Sequence, residues 1–482
     1  MSNHDKQSTG QLPAYLANAT PNPAANRAPW YKNTAPTYAG IFLWFVFWQD
    51  AAKSGTPGGT LAHGVGWALI SLVIAALVCH FLFYLIPGML GMKTGLPLYI
   101  VGTSTFGAKG GFIMPGFLMG VLQFGWLGVN IYFSAMALSA MLPVPAKILM
   151  VVWGVLAAFI GLKGIQYVAK VATYLPLIPL VVLIWLMAKT IGNVGSFNPD
   201  TLVAAQKLTN PMGPAALSSF GVLAVMLTYV VGFFATAGAA GVDFGTNSRD
   251  KKDVSMGGLV GVALAILFTA GLSLLIVAGI YGSFKTGIEA VVTKNLSLSS
   301  FELMPLVLGE NTAKWVAFLL AISAFPSACF SSLIAANSFK TTLSNVNPFV
   351  SVGIGAAVAI LLAVMGWAGD AVAVFVVIGA SFGPICGAIV VDYLLAGGKW
   401  TGPRAGFNPA GWIAWALGFV VGIAPNLKAW FKLDMPDVPA APVLAFFVGA
   451  IVYFICAKMG LMTKILPMSQ KTAEPKTAAA AK

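Results

Sequence analysis

Gln123 and Trp126 stand one helical turn apart in GVLQFGWLGVNIYF (Gly120–Phe133), inside an uncharged apolar run from about Gly111 to Leu142. Residues three apart share a helix face, and Gly125 and Gly128 leave room beside them. An indole offers a flat stacking surface, and a carboxamide offers a donor and an acceptor in one plane. The pair therefore suits a planar polar solute, its ring on Trp126 and its edge read by Gln123. The competing reading is packing, because tryptophan in membrane helices often packs or sits at an interface and glutamine often bonds a neighbouring helix.

Bond-making chemistry has no comparable set of residues. The three histidines, at 4, 63 and 80, form no cluster. The four cysteines, at 79, 329, 386 and 456, fall singly in apolar segments and read as small core residues, not as a disulfide framework or metal site. There is no phosphate loop. The expectation is a protein that is not an enzyme, with no catalytic residues and no organic cofactor.

What positions the pair is a membrane protein. Of the 482 residues 58% are hydrophobic and 9% charged, with a mean hydropathy of +0.86. No soluble domain hides such a chain. The net charge of +13 does not signal nucleic acid, because the basic residues are scattered between apolar runs. Apolar segments fall at about 38–53, 64–88, 111–142, 145–163, 167–190, 215–242, 256–284, 313–338, 348–367, 371–396, 410–424 and 438–461, which predicts twelve transmembrane helices. Both termini then share a side. Of the 27 basic residues, 18 fall on that side and 9 on the other, so the positive-inside rule puts both termini in the cytoplasm. Residues 1–36, rich in Pro, Asn and Ala, read as a disordered cytoplasmic tail and not as a signal peptide; residues 462–482 read as a second cytoplasmic tail.

Two segments are interrupted. The first, YAGIFLWFVFWQDAAKSGTPGGTLAHGVG, loses its apolar character after Trp48, at Gln49, Asp50 and Lys53, and then meets Gly55, Pro57, Gly58 and Gly59. The sixth, VVGFFATAGAAGVDF (Val230–Phe244), carries Gly232, Gly238 and Gly241. Exposed backbone at membrane depth is tolerated only where it lines a cavity. Interrupted helices at matching places in two halves point to a secondary transporter built from inverted repeats. For the sixth segment alone, glycines that permit close helix packing explain the pattern equally well.

Asp50 is the only carboxylate in the first five segments, and a buried carboxylate is costly unless it pairs or serves an ion path. A local ion pair with Lys53 and a functional role are both open. The eighth segment, WVAFLLAISAFPSACFSSLIAANSFKTT, carries Ser323, Ser327, Ser331, Ser332 and Asn337. Serine hydroxyls in such helices back-bond to their own carbonyls, or serve as oxygen ligands for a hard cation.

GMKTGLPLYIVGTSTFGAKG (Gly91–Gly110) followed by GVLQFGWLGV, together with GGTL (58–61), VVGFFATAGAAGVDF (230–244) and GPICGAIVVDY (383–393), resembles the nucleobase:cation symporter family 1, most of all its cytosine permease branch, over roughly residues 37–460. The resemblance implies an all-α fold of twelve helices: a 5+5 inverted-repeat, LeuT-like core at 37–396 (repeat one about 37–190, repeat two about 215–396) with helices one and six broken, and two further helices at 397–461. It implies uptake of a nucleobase or related heterocycle with Na⁺ or H⁺. It sets the ring between Trp126 and Phe234, with Gln123, Gln49, Ser331 and the backbone of Gly232 and Phe233 completing the substrate site. It gives a Na⁺ position at the carbonyls of Phe45, Trp48 and Ala324 and the hydroxyl of Ser327.

The chain departs from that pattern in three places. Ala328 stands where the family often has a second hydroxyl, which removes a Na⁺ ligand. Cys329, Phe330 and Ser331 replace an Asn/Asp-rich stretch of the cytosine permeases. Gln49–Asp50 is more polar than its counterpart, which makes Asp50 a candidate coupling carboxylate. The expected protein is thus a symporter of planar N-heterocycles in a bacterial-type inner membrane. Its partners are the solute and the bilayer, without nucleic acid or an obligate protein partner. A carrier of an amino acid, amine or vitamin precursor on the same scaffold, coupled to H⁺, is the alternative.

Overall fold

The computed structural model describes residues 12–163, 174–284 and 296–468. Among these, ten helices are long and apolar enough to cross a membrane. The chain order is α1 (Thr34–Phe42), α2 (Phe45–Asp50), α3 (Gly64–Thr94), α4 (Phe112–Ser139), α5 (Ala146–Lys163), α6 (Leu177–Ser196), α7 (Ser219–Ala239), α8 (Lys251–Ser283), α9 (Glu310–Thr342), α10 (Pro348–Val364), α11 (Ala371–Leu395), α12 (Pro409–Phe431) and α13 (Ala441–Lys458). The first apolar segment is two short helices, α1 and α2, and α10 has 17 residues. Residues 167–173 of the fifth segment lie outside the described residues.

The buried apolar side chains divide into two cores. The larger joins α1, α2, α3, α7, α8 and α11–α13. The smaller joins α5 and α10 to one face each of α4 and α9. Along α4, Met119, Leu122 and Val129 belong to the larger core, while Phe124, Leu127 and Ile131 belong to the smaller. The helical period assigns these two sets to different faces. α4, which carries Gln123 and Trp126, is therefore a seam between two bodies.

Three expectations are corrected here. The break in the first segment comes at Leu43–Trp44, where Trp44 is extended (φ −73°, ψ 131°), and not beyond Trp48. No glycine or proline marks that position; the Gly/Pro cluster serves instead to turn the chain after α2, with Gly55, Gly58 and Gly59 all at positive φ. In the sixth segment α7 runs unbroken through Gly232, and the interruption comes at Ala240, before the short helix Gly241–Gly245. Gly232 is needed for packing: a Cβ there would lie 2.7 Å from the Phe375 carbonyl of α11.

Residues 12–33, finally, are not a free tail. Leu16 is fully buried, and Tyr15 donates to the Ala108 carbonyl. The Asn22 amide donates to Thr246 and Asn247 (3.0 and 2.9 Å), and Arg27 donates to the Met92 carbonyl (2.9 Å). A low-hydropathy segment orders here because the loops around it offer unpaired carbonyls.

Candidate functional site

α2 has only six residues, so most of its carbonyls lack helical partners. α7 meets two of them. The Tyr229 hydroxyl lies 3.1 Å from the carbonyls of both Val46 and Phe47 and donates to one at a time. All six residues of α2, FVFWQD, are buried.

Trp126 faces inward. Its ring contacts Trp44 (centroids 5.9 Å, interplanar 61°), Phe233 (4.6 Å, 86°) and Phe375 (5.2 Å, 35°), and its Nε1–H points to the Thr236 hydroxyl at 3.4 Å. Phe375 also meets Phe233 and Tyr229. Four elements thus converge on one ring cluster: the α1–α2 break, α4, α7 and α11. Edge-to-face pairs of this kind each add about 0.5–1.5 kcal/mol beyond area burial.

The expected sandwich of Trp126 with Phe234 is not what forms. Phe234 is fully buried against Tyr38 (5.7 Å) and Phe42 (5.9 Å, 25°), and Phe233 is the residue that meets Trp126. Successive residues on a helix point about 100° apart, so only one of the two phenylalanines can take that place. The expectation of free backbone at Gly232 and Phe233 is overturned as well, since both lie within the continuous helix α7.

Unpartnered polar groups lie at the break, along α2 and on α4. Gln49 is 2% exposed, and its Oε1 has no hydrogen-bond partner; neither do Nε1 of Trp44 and Nε1 of Trp48, both buried. Gln123 is buried on α4, and its amide reaches only the Met119 sulfur at 3.8 Å, a weak acceptor. Buried polar atoms without good partners are costly, which makes these four residues candidates for contact with a polar solute. Ser331 lies apart, half-buried, its hydroxyl donating back to the Ser327 carbonyl at 3.3 Å.

Of the four expected cation ligands, Phe45 and Trp48 are buried on α2, the ring of Phe45 lying against Phe301 (6.2 Å). The Ala324 carbonyl accepts from the Asn130 amide at 3.0 Å, while Ser327, three residues on, is exposed. Asn130 Oδ1 in turn accepts from Trp153 Nε1 (3.1 Å) and the Ser134 hydroxyl (3.3 Å). A cation at Ala324 would have to share that carbonyl with the Asn130 amide. Asp50 is buried, with the Lys53 ammonium 4.0 Å away, the local pair that their spacing allows.

The remaining acids of this region are structural. Asp243, exposed, accepts from the Leu98 amide (2.9 Å). Asp392 accepts from Ser104 (2.6 Å), Thr105 (3.2 Å) and Tyr453 (2.8 Å), with Arg404 at 3.8 Å. This knot ties the short helix Thr103–Phe106 to α11, α13 and the 403–405 turn. Among the described residues no group of three or more His, Cys, Asp or Glu could hold a metal ion.

Trp44, Tyr229, Thr236, Phe375 and Asn130 belong to this region and carry no sequence signal of their own. Aromatic residues abound in membrane helices, and only packing shows which of them meet.

This is the architecture of a multi-pass membrane protein. Over 93% of this chain and 97% of the other, the fold matches Mhp1, a nucleobase-cation-symport-1 family transporter solved in a closed conformation with bromovinylhydantoin bound (TM-score 0.61, 14% identity). The inward-facing conformation of Mhp1 matches over 95% and 99% (TM-score 0.63, 14% identity). A Na⁺-coupled sialic acid symporter matches over 92% of each chain (TM-score 0.55, 12% identity). These likenesses show a LeuT-like fold.

In sequence, the chain is similar to cytosine permeases. It is 26% identical to that of Escherichia coli K12 over 354 residues, 70% of this chain and 73% of the permease. The cytosine permease of Escherichia coli O157:H7 matches to the same extent. No family model matches the sequence. The proteins it resembles are transporters, and none of the named relatives is an enzyme.

Proposed function

We propose that the protein is a secondary symporter that takes up a nucleobase or related planar N-heterocycle by cation-coupled alternating access. The observation that carries this is the ring cluster of Trp126, Trp44, Phe233 and Phe375, in which the buried Nε1 of Trp44 has no partner, with the short helix α2 beside it carrying two more unpartnered polar atoms, on Trp48 and Gln49. A flat heterocycle has a face for the rings and an edge for the amides. An amino acid would call for a charged or dipolar clamp instead.

Trp126 and Gln123 orient the ring from α4, and Gln49 reads the far edge from α2. The two cores are two bodies with α4 between them, and movement of one against the other would expose the site first to one side and then to the other. Twelve crossings, with α1 and α2 together making the first, the two repeats at about 37–190 and 215–396, a bacterial-type inner membrane and cytoplasmic termini complete this reading. The relatives' cytosine and hydantoin make pyrimidines and hydantoins the first solutes to try.

For the coupling ion, engagement of the Ala324 carbonyl by Asn130 and the exposure of Ser327 favour H⁺ over Na⁺. Asp50, buried in α2 next to Gln49, is the group that would carry the proton.

Thermal-shift measurement across cytosine, uracil, purines, allantoin, hydantoins and pyrimidine vitamin precursors tests the solute class. A shift with at least one of these that disappears in Trp126→Ala supports the assignment; shifts with amino acids alone would reject it.

A further inference from the structure

A second feature lies on the exposed side of the smaller core and is lined by none of the residues of the ring cluster. A groove of about 260 Å³ runs between α5 and α10, lined by apolar side chains that include Val155, Phe159, Phe349, Gly353 and Ala357. It exists because Gly353 has no side chain: a Cβ there would meet nothing within 4 Å. At one end Lys163, the last residue of α5, holds its ammonium 5.2 Å from the Phe349 ring centroid. From Phe349 to Ile360 the groove follows α10 for about 16 Å at the helical rise, which is close to half of a hydrocarbon core about 30 Å thick.

We propose that this groove holds one anionic phospholipid. An acyl chain lies along Gly353 and Ala357, and the phosphate sits at Lys163. The groove is one leaflet deep, apolar along its length and cationic only at its rim, which is the pattern of a single phospholipid. The N-terminal end of α10 lies at the same rim and adds its partial positive charge. A cation already resting on an aromatic face binds a phosphate without giving up that contact. Bound there, the lipid bridges α5 and α10 and stiffens the smaller core. Assignment to the inner leaflet rests on the orientation proposed above; binding itself does not.

The test uses the full chain reconstituted in vesicles of equal parts phosphatidylglycerol and phosphatidylcholine, extracted in mild detergent and weighed by native mass spectrometry. Retention of one phosphatidylglycerol is expected, favoured over phosphatidylcholine by about fivefold, the preference one lysine near an anionic surface supplies. Lys163→Glu removes the preference. Gly353→Leu, growing into open space, removes retention of both lipids without lowering the melting temperature. Equal retention of the two lipids by the unaltered chain overturns the proposal, as does phosphatidylglycerol retention unchanged in either variant. A lipid-free dimer that Gly353→Leu dissociates also overturns it and gives the groove to a second copy. Labelling of Lys163→Cys by an impermeant maleimide from the outer side overturns the leaflet assignment alone.

Discussion

The Tyr229 hydroxyl of α7 donates to the short helix α2, 3.1 Å from the carbonyls of Val46 and Phe47. One side chain thereby holds α2, with Gln49 and Asp50, against the helix that supplies Phe233. In Tyr229→Phe the ring contacts with Phe47 and Phe375 persist, and only the hydrogen bond is lost. Stability should fall by about 1 kcal/mol, read as a lower melting temperature in detergent, and the KM for uptake should rise.

Phe233 and Phe234 are neighbours in sequence with different surroundings, so their variants should separate. Phe233→Leu removes the ring that meets Trp126 and should raise the KM for the heterocycle by about tenfold, in line with one aromatic contact. Phe234→Leu should lower the melting temperature and leave KM nearly unchanged, because its contacts are Tyr38 and Phe42. Equal effects on KM would restore the sandwich expected from the family. Gln123→Leu should change which bases compete for uptake, and an unaltered competition profile would remove Gln123 from recognition.

Uptake driven by protons through Asp50 should persist in Na⁺-free medium at fixed pH and decline as external pH rises. Asp50→Asn should abolish the pH-dependent component while leaving exchange of solute across the membrane. Ser327→Ala should then change neither, whereas a strict Na⁺ requirement lost in Ser327→Ala would establish the Na⁺ site of the relatives in this chain.

Asp392 and Arg404, 6% and 7% exposed, share one buried network. Asp392→Asn leaves the guanidinium buried with two backbone carbonyls but no counter-charge. Removing one partner of a buried pair costs about 3–5 kcal/mol, so this variant should show a clear loss of thermal stability. Adding Arg404→Met should recover part of it, which a simple loss of packing would not.

Much of this molecule was legible in its residues. Segment lengths and hydropathy are set by bilayer thickness and need no tertiary information, and the helices fall on the segments accordingly. The inward face of Trp126 and Gln123 follows from their spacing on one uncharged helix. The resemblance carried by the motifs between Gly58 and Tyr393 agrees with the fold and with the cytosine permease relatives. The adherence of residues 12–33 was not legible, because their composition is that of a tail and their anchors are carbonyls of remote loops.

The sequence by itself determined a multi-pass membrane protein with an aromatic and an amide on a shared helix face, because periodicity and transfer free energy are properties of the local chain. Only the tertiary structure decided where the first helix breaks, which phenylalanine meets Trp126, and that Asn130 holds the Ala324 carbonyl. Each of these depends on the rotation of one helix against another. A single residue of offset turns a side chain by about 100°, and no local pattern fixes that angle.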